Sequence, residues 1–206
     1  MQPATDPRLA TVRAHLTGTA DVLKQTFDQC GTAILAAADL VAESFRKGGK
    51  LMICGNGGSA ADCQHLAAEF TSRLTIDFPR PALPALALTT DSSFLTAYAN
   101  DIDFEGVFAR QVEALGKPED ILLGISTSGG SKNVVRAVEA AKALNAKTIV
   151  LCGNRGRLRE MADIAISVPS DSTQHIQETH LAIEHLMCHF VERALFGQTG
   201  GSKAAA

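Results

Sequence analysis

The chain has 206 residues, enough for one domain that buries roughly 70% of the surface of its unfolded chain. Its 46% hydrophobic and 20% charged residues are typical of a soluble globular protein. The formal net charge of −3 argues against a nucleic-acid or membrane-surface partner, and no apolar run approaches the ~20 residues that span a bilayer. We expect a single domain over residues 1–206, with flexible tails at about residues 1–7 and 197–206.

The five cysteines indicate a reducing compartment. Their number is odd, they contain no C-x-x-C motif, and Cys54 and Cys152 each end an apolar run, where a buried reduced thiol is the expected state. The first residues show no charged-then-apolar signal pattern. We therefore expect a cytoplasmic protein.

Helical and strand-like patterns alternate along the chain. Residues 10–30 and 32–49 each show the periodicity of an amphipathic helix, and Gly48 and Gly49 stop the second one. A last and longest helix is predicted over residues 173–195. Between them lie five short apolar runs, each followed by a helical pattern: residues 50–54 (KLMIC), 82–88 (ALPALAL), 120–126 (DILLGIS), 147–152 (KTIVLC) and, more weakly, 163–169 (DIAISVP).

These apolar runs are continuous rather than alternating, which is the pattern of strands covered on both faces. Together with the helices they predict an α/β fold, a three-layer αβα sandwich around a five-stranded parallel sheet with an extra N-terminal helix. Ligands of such sheets bind outside the carboxyl ends of the strands. Two of these ends carry residues suited to ligand binding.

The first is the glycine-rich turn CGNGGSA after the strand of residues 50–54. Gly55, Gly57 and Gly58 let the backbone turn tightly and approach a ligand, and a helix opening at about Ser59 offers free N–H groups to an anion. A tight turn without a ligand is the alternative.

The same turn also fits the dinucleotide fingerprint G-x-G-x-x-G/A through Gly55, Gly57 and Ala60. That fingerprint expects an acidic residue about 20 positions further on, at the end of the next strand. Asp77 has this spacing but lies in the proline-flanked loop TIDFPRP. A nicotinamide-binding domain is therefore a weaker interpretation than a phosphate site.

The second strand end is ISTSGGS, residues 125–131, directly before a helical pattern. The hydroxyls of Ser126, Thr127, Ser128 and Ser131, together with helix N–H groups, can bind a phosphate monoester without Lys or Arg. An ordinary turn in which Ser131 only caps the helix is the alternative. Two anion-binding loops on adjacent crossovers favour a small phosphorylated ligand between them.

Histidines and carboxylates form a third group of candidates. His65 and Glu69 share one helix face at i, i+4 spacing, which suits two ligands of one metal or a base beside its partner. A solvated ion pair is the commoner cause of this spacing. The last helix has several metal-friendly pairs, including His180 with Glu184, but an exposed face or a subunit contact is the alternative for each of its four histidines: His175, His180, His185 and His189.

Three segments together resemble the phosphoheptose isomerases: GNGGSAADCQHLAAE, YANDIDFEGVFARQVEALGKPEDILLGISTSGGS and IQETHLAIEHLMC. The likeness spans about residues 20–195, and the motifs occur in the family's order. It implies the sugar-isomerase (SIS) fold with flavodoxin-like topology. It also implies conversion of sedoheptulose 7-phosphate to D-glycero-D-manno-heptose 7-phosphate, the first step of nucleotide-activated heptose biosynthesis.

The resemblance assigns roles to individual residues. It implies one zinc ion per subunit, bound by His65, Glu69, Gln177 and His185, which polarises the carbonyl and hydroxyl oxygens of the sugar. In the implied enediol mechanism Glu69 is the expected base and His185 the expected acid. The implied substrate contacts, with the phosphate on the serine- and threonine-rich loop, are Asn56, Gly57, Gly58, Ser59, Glu69, Asn100, Asp101, Ser126, Thr127, Ser128, Ser131 and Gln177.

Two positions depart from the family's usual pattern. Gly130 stands where asparagine is frequent, and His175 stands where arginine is frequent. Both concern the fit of the sugar rather than the reaction type. Within the same fold, the alternative function is that of the non-catalytic replication-initiator-binding proteins, which lack a histidine at the position of His185.

The spacing of Gln177 and His185 predicts shared active sites. Eight residues separate them on one helix, about 12 Å along its axis, whereas zinc bonds are only ~2.0–2.2 Å long. Ligands drawn from neighbouring copies would ease this geometry, and the family resemblance implies a tetramer. We therefore expect a homotetramer with active sites at subunit interfaces, whose ligand is a phosphorylated seven-carbon sugar, without nucleic acid or membrane partners.

Overall fold

A parallel sheet with strand order β2-β1-β3-β4-β5 is the centre of the computed structural model, which describes residues 6–197. This order confirms the predicted flavodoxin-like sandwich. The predicted tails fall mostly on residues 1–5 and 198–206, outside the described residues. The strands within the described part of the chain are β1 (Leu51–Gly55), β2 (Ala85–Ala87), β3 (Ile121–Ser126), β4 (Lys147–Gly153) and β5 (Ile164–Val168).

Helices cover both faces of this sheet. Between residues 6 and 197 they are α1 (Arg8–Arg46), α2 (Gly58–Thr71), α3 (Ser92–Asp101), α4 (Val107–Leu115), α5 (Lys132–Ala143), α6 (Leu158–Met161) and α7 (Thr173–Phe196). Helices α1, α2 and α7 pack on one face, and α4 and α5 pack on the other. The predicted last helix, residues 173–195, agrees with α7 to within one residue.

The central strands are apolar throughout because each face of the sheet has its own core. In β1, Leu51 and Ile53 join the core with α1, α2 and α7, whereas Met52 and Cys54 join the core with α4 and α5. Successive side chains of a strand point to opposite faces, so a strand with helices on both sides needs apolar residues at every position. The prediction from continuous apolar runs is confirmed for this reason.

The first helix corrects the prediction of two helices. Residues 10–30 and 32–49 belong to one continuous helix, α1, which passes through Gly31 without a break. A glycine inside a helix costs about 1 kcal/mol relative to alanine, which the packing of α1 along α7 and β5 offsets. The predicted stop is correct, because α1 ends at Arg46 and Gly48 adopts a positive φ of 80°.

The edge strand β2 is shorter than its apolar run. Residues 82–88 were all expected in a strand, but Pro84 precedes the three residues that pair with β1. Proline lacks the N–H group that strand pairing requires, which limits the strand to the residues after it. Cys54 and Cys152 are buried and free, as expected, and so are the other three cysteines. Burial raises the pKa of the Cys54 thiol to about 12. Among the described helices, none combines the length and the hydropathy needed to cross a membrane.

Candidate active site

The two candidate loops lie side by side at the carboxyl edge of the sheet. Strands β1 and β3 are neighbours, and Gly55 at the end of β1 pairs with Ile125 near the end of β3. The helix after the first loop opens at Gly58, one residue before the predicted start. Gly57 precedes it with φ of 56°, a conformation that a residue with a side chain rarely adopts, and Ser59 is buried in the first turn.

A pair of amides joins the first loop to the helix that follows the second. The Asn56 amide donates to Asn133 Oδ1 and the Asn133 amide donates to Asn56 Oδ1, both at 2.8 Å. Asn133 is buried in the first turn of α5. Sequence reasoning missed Asn133, although a polar residue on the otherwise apolar face of KNVVRAV was a signal for such a buried contact.

The serine hydroxyls of the second loop converge. Ser126 Oγ lies 2.9 Å from Ser131 Oγ and 3.4 Å from Ser128 Oγ, and the Gly130 N–H donates to Ser128 Oγ over 3.3 Å. Ser131 occupies the N-cap position of α5, but its side chain makes no capping hydrogen bond. That hydroxyl faces Ser126 instead, and of the first three N–H groups of α5 only that of Val134 is engaged, by Asn133 Oδ1. The N–H groups of Lys132 and Asn133 have no acceptor within residues 6–197 and can serve an anion. This geometry favours the phosphate interpretation over a simple capped turn.

The backbone of the second loop is fixed by its contact with the next strand. The Thr127 carbonyl accepts a hydrogen bond of 3.2 Å from the Gly153 N–H at the end of β4. Gly129 has φ of 64°, and a Cβ placed there would lie 2.0 Å from the Arg155 carbonyl oxygen. Any other residue at position 129 would therefore displace the loop, whose half-buried Thr127 stands beside the converging serines.

His65 contacts both Glu69 and His185 where α2 crosses α7. His65 Nε2 lies 2.9 Å from His185 Nε2 and 3.6 Å from Glu69 Oε1. The His65 side chain is 43% exposed and that of Glu69 is 19% exposed. Glu69 Oε2 is buried and has no hydrogen-bond partner among residues 6–197. The i, i+4 pair is therefore more than a solvated ion pair, because a third side chain that can bind a metal, His185, reaches it from α7.

Gln177 lies apart from these three residues. Its amide donates a hydrogen bond of 3.0 Å to Asp62 Oδ2, one turn before His65, and it packs so closely on Gly58 that a Cβ there would lie 2.2 Å from Gln177 Nε2. A side chain at position 58 would therefore have to displace the Gln177 amide from its present place. Burial raises the pKa of Asp62, and the hydrogen bond from Gln177 opposes this rise.

The spacing along α7 predicted that a neighbouring copy of the chain supplies some of the ligands, and for His185 this prediction is wrong. Its ring reaches His65 within one chain, although eight residues separate it from Gln177. The estimate of 12 Å assumed that one ion must lie between the two side chains along α7. The crossing of α2 brings His65 to His185 and Asp62 to Gln177 instead.

Two further polar residues are buried below this crossing. His180 and Glu184 are fully buried on α7, and none of their side-chain polar atoms has a regular hydrogen bond within the described chain. Burial lowers the pKa of His180 to about 4, while burial and the nearby charge of Asp62 raise the pKa of Glu184 to about 9. The expectation of an exposed face or a subunit contact is therefore wrong for His180, whose place in one stripe with Ile176 and Ile183 indicated burial.

Asn100 and Asp101 form the end of α3, where both are exposed. The Asn100 amide donates to Asp101 Oδ1 over 2.8 Å. No hydrogen bond in the described part of the chain connects either residue to the two loops. Their role in substrate contact remains a prediction from the resemblance. Gly130, where the family frequently has asparagine, is exposed beside the converging serines.

The residues around His65 fit a zinc ion chemically. Two imidazoles and a carboxylate are a frequent donor set for zinc, and Glu69 Oε1 lies 3.6 Å from His65 Nε2. The Nε2 atoms of His65 and His185 face each other at 2.9 Å, as two donors of one shared ion would. Gln177, bound to Asp62, is the least favourably placed of the four implied ligands.

Comparisons with known proteins agree with this architecture. The SIS domain family matches residues 15–153. The phosphoheptose isomerase of Roseiflexus sp. is 51% identical over 177 residues, which cover 85% of this chain and 89% of the relative, and that of Synechocystis sp. is 53% identical over 179 residues, 85% and 91% of the two chains. The solved phosphoheptose isomerase of Francisella tularensis matches with a TM-score of 0.86 at 38% identity, over 90% of this chain and 98% of that one. The solved enzyme of Neisseria gonorrhoeae matches with a TM-score of 0.83 at 40% identity, over 89% and 97%. The chain therefore belongs to the SIS domain family and, within it, to the phosphoheptose isomerases.

Proposed function

We propose that the protein is an aldose–ketose isomerase that converts sedoheptulose 7-phosphate to D-glycero-D-manno-heptose 7-phosphate. The observation that carries this proposal is the contact of His65 with both Glu69 and His185, together with two loops suited to an anion. A phosphorylated sugar held by the loops would present its other end to these three side chains. The identity of about 50% to relatives named phosphoheptose isomerase supports the same substrate.

Glu69 would act as the base. Removing a proton from the carbon beside the carbonyl gives an enediol, and this step needs a carboxylate oxygen that is not already engaged. Glu69 Oε2 meets this requirement, since it is buried and has no partner between residues 6 and 197. Its limited exposure keeps competing water away from the transferred proton.

His185 would return a proton to the neighbouring carbon. Its Nε2 faces His65 at 2.9 Å, so the two rings fix one another beside Glu69. The zinc ion that we propose as cofactor would be held by His65, Glu69 and His185, with Gln177 as a fourth donor. When bound, zinc supplies a Lewis acid that stabilises negative charge on the sugar oxygens.

The phosphate group would bind in the second loop. The hydroxyls of Ser128 and Ser131 both lie within 3.4 Å of the Ser126 hydroxyl, and α5 adds the N–H groups of its first two residues and the positive end of its dipole. The amide pair of Asn56 and Asn133 would hold the first loop at a fixed distance from this phosphate site.

We also propose a homotetramer in the cytoplasm. The apolar side chains of α1 and α7 line an open groove of about 340 Å³ that includes Phe27, 76% exposed, and Phe190. Exposed apolar patches of this kind mark protein contacts. A tetramer would bury this groove and could also bring a neighbour's residues to the edge of the site. The five buried free thiols support a reducing location.

The decisive experiment is an isomerase assay with Glu69→Gln. The protein, dialysed against chelator and resupplied with zinc, is incubated with sedoheptulose 7-phosphate, and aldose formation is followed by NMR. We expect turnover in the wild type and a loss of at least about 10²-fold in the variant, as removal of a general base causes. Glu43→Gln, which changes an exposed glutamate of α1, is the matched control. Binding of the sugar phosphate without aldose formation by the wild type would contradict the proposal.

A further inference from the structure

A second group of metal-ligating side chains lies away from the candidate active site, where the beginning of α1 packs on the first turns of α7. It consists of His15 from α1 with His175 and Glu178 from α7. One ligand atom from each of these side chains lies within 4.8 Å of the other two. Among residues 6–197, this is the one place where three such side chains gather so closely.

Contacts within the group already orient its donor atoms. His15 Nε2 lies 2.7 Å from Glu178 Oε1, and His175 Nδ1 lies 3.4 Å from Glu178 Oε2. The two imidazole rings approach with centroids 4.7 Å apart. The Thr19 hydroxyl stands 2.9 Å from His175 Nδ1 and donates to the second oxygen of Glu178. Nitrogen and oxygen atoms therefore converge from two helices, supported by one hydroxyl.

Gly18 allows the rings to come this close to α1. A Cβ at this position would lie 3.1 Å from His175 Nε2. A glycine in the middle of a long helix is unfavourable by about 1 kcal/mol relative to alanine, so its presence calls for a local reason. The approach of the His175 ring to α1 supplies that reason.

We propose that His15, His175 and Glu178 form a second metal site, which binds a divalent first-row transition metal such as zinc. Two imidazoles and one carboxylate are a donor set that zinc and its neighbours accept, with water in the remaining positions. The donors are half-buried or exposed, so an ion can enter directly from solvent. A metal there would clamp the first turns of α7, and with them Gln177, to α1.

The test counts zinc ions per chain in the full-length protein. Chelator-treated protein is titrated with Zn²⁺ by calorimetry, and bound zinc is measured after gel filtration. We expect His15→Ala to bind one equivalent fewer than the wild type, and His15→Gln to do the same although glutamine can still donate a hydrogen bond to Glu178. Thr19→Val, which removes the supporting hydroxyl, should weaken this site about 10-fold to 100-fold, as the loss of a side chain that orients a metal ligand typically does.

Two controls separate this site from the proposed catalytic zinc. His189→Ala removes a histidine from the same helix outside both groups and should leave both equivalents in place. His65→Ala should lose the catalytic equivalent and retain the one at His15. If His15→Ala and His15→Gln bind as many zinc ions as the wild type, the second site does not exist, whatever happens in His65→Ala.

Discussion

Arg80 and Glu192 form an ion pair in which both side chains are completely shielded from solvent, with Arg80 Nε 3.0 Å from Glu192 Oε2. The same guanidinium donates to the carbonyls of Glu69 and Phe70 in the last turn of α2. The pair therefore holds the end of α2, which carries Glu69, against α7, which carries Glu192. Buried charges of this kind depend on each other, because neither has water to replace a lost partner.

Glu192→Gln is expected to lower the free energy of unfolding by about 3–5 kcal/mol, because it leaves the Arg80 charge buried without a counterion. Urea unfolding at neutral pH and fixed protein concentration measures this loss. The control is Glu113→Gln, which breaks the exposed pair with Arg110 and should cost no more than about 1 kcal/mol. Equal effects of the two variants would mean that burial does not decide the strength of these pairs.

Glu184→Gln should have the opposite effect, and the effect should depend on pH. Glu184 is buried without a charged partner, and its pKa is raised from 4.5 to about 9. The folded protein therefore keeps the proton between pH 4.5 and 9 while the unfolded chain releases it, so the wild type loses stability as the pH rises through this window. The variant has no such loss, because glutamine does not titrate.

The advantage of Glu184→Gln should be near zero at pH 4 and grow by at most about 1.4 kcal/mol per pH unit above 4.5. Unfolding of the chelator-treated proteins at pH 4, 6 and 8 measures it. The shifted groups Asp62 and His180 titrate in both proteins, so their contributions largely cancel in the difference. A constant difference across this range would show that Glu184 is ionised in the folded protein.

Mixed oligomers test whether one chain supplies the whole reacting centre. Glu69→Gln and His185→Ala chains, each inactive, are given different tags, refolded together and purified through both tags. Since His65 contacts both His185 and Glu69 of its own chain, every site in the mixture keeps one defect, and we expect no recovery of activity. Clear recovery in the doubly purified fraction would assign the two residues to different subunits.

Replacing Ser126 and Ser128 together by alanine should raise KM for the phosphorylated sugar strongly and change kcat little. Their hydroxyls converge with that of Ser131 at the N-terminus of α5, while the proton-transferring groups lie on other helices. Steady-state kinetics with sedoheptulose 7-phosphate measures the change. Ser93→Ala on the exposed first turn of α3 is the control. An unchanged KM in the double variant would move the phosphate to the Gly55–Ser59 turn.

Most of the fold could be predicted because the sheet is covered on both sides. Continuous apolar runs such as ILLGIS fit strands that are covered by helices on both faces. The alternation of these runs with helical patterns along the chain then predicted the three layers of the sandwich. Gly31 misled the prediction, because a glycine stops a helix only when tertiary packing does not continue past it. The apolar run did not reveal how short β2 is, because Pro84 removes a backbone hydrogen-bond donor without interrupting the apolar pattern.

The candidate site could be predicted in its parts but not in its assembly. The spacing of His65 and Glu69 revealed their common helix face, and the serines and threonine of STSGGS revealed the hydroxyl-rich loop. The meeting of His65 with His185 depends on how α2 crosses α7, which no local pattern contains. Asn133 was missed for the same reason, since its partner Asn56 lies 77 positions away in the sequence.

The reciprocal amide pair of Asn56 and Asn133 has a consequence for the evolution of the protein. Each amide donates one hydrogen bond to the other, so the loss of Asn56 leaves the buried Asn133 amide without its donor partner, and the loss of Asn133 leaves the half-buried Asn56 amide without either bond. Two separate substitutions would have to pass through that unfavourable intermediate. Among descendants of this sequence, the two positions should therefore change together or not at all, and a lineage that has changed one should carry a compensating residue at the other.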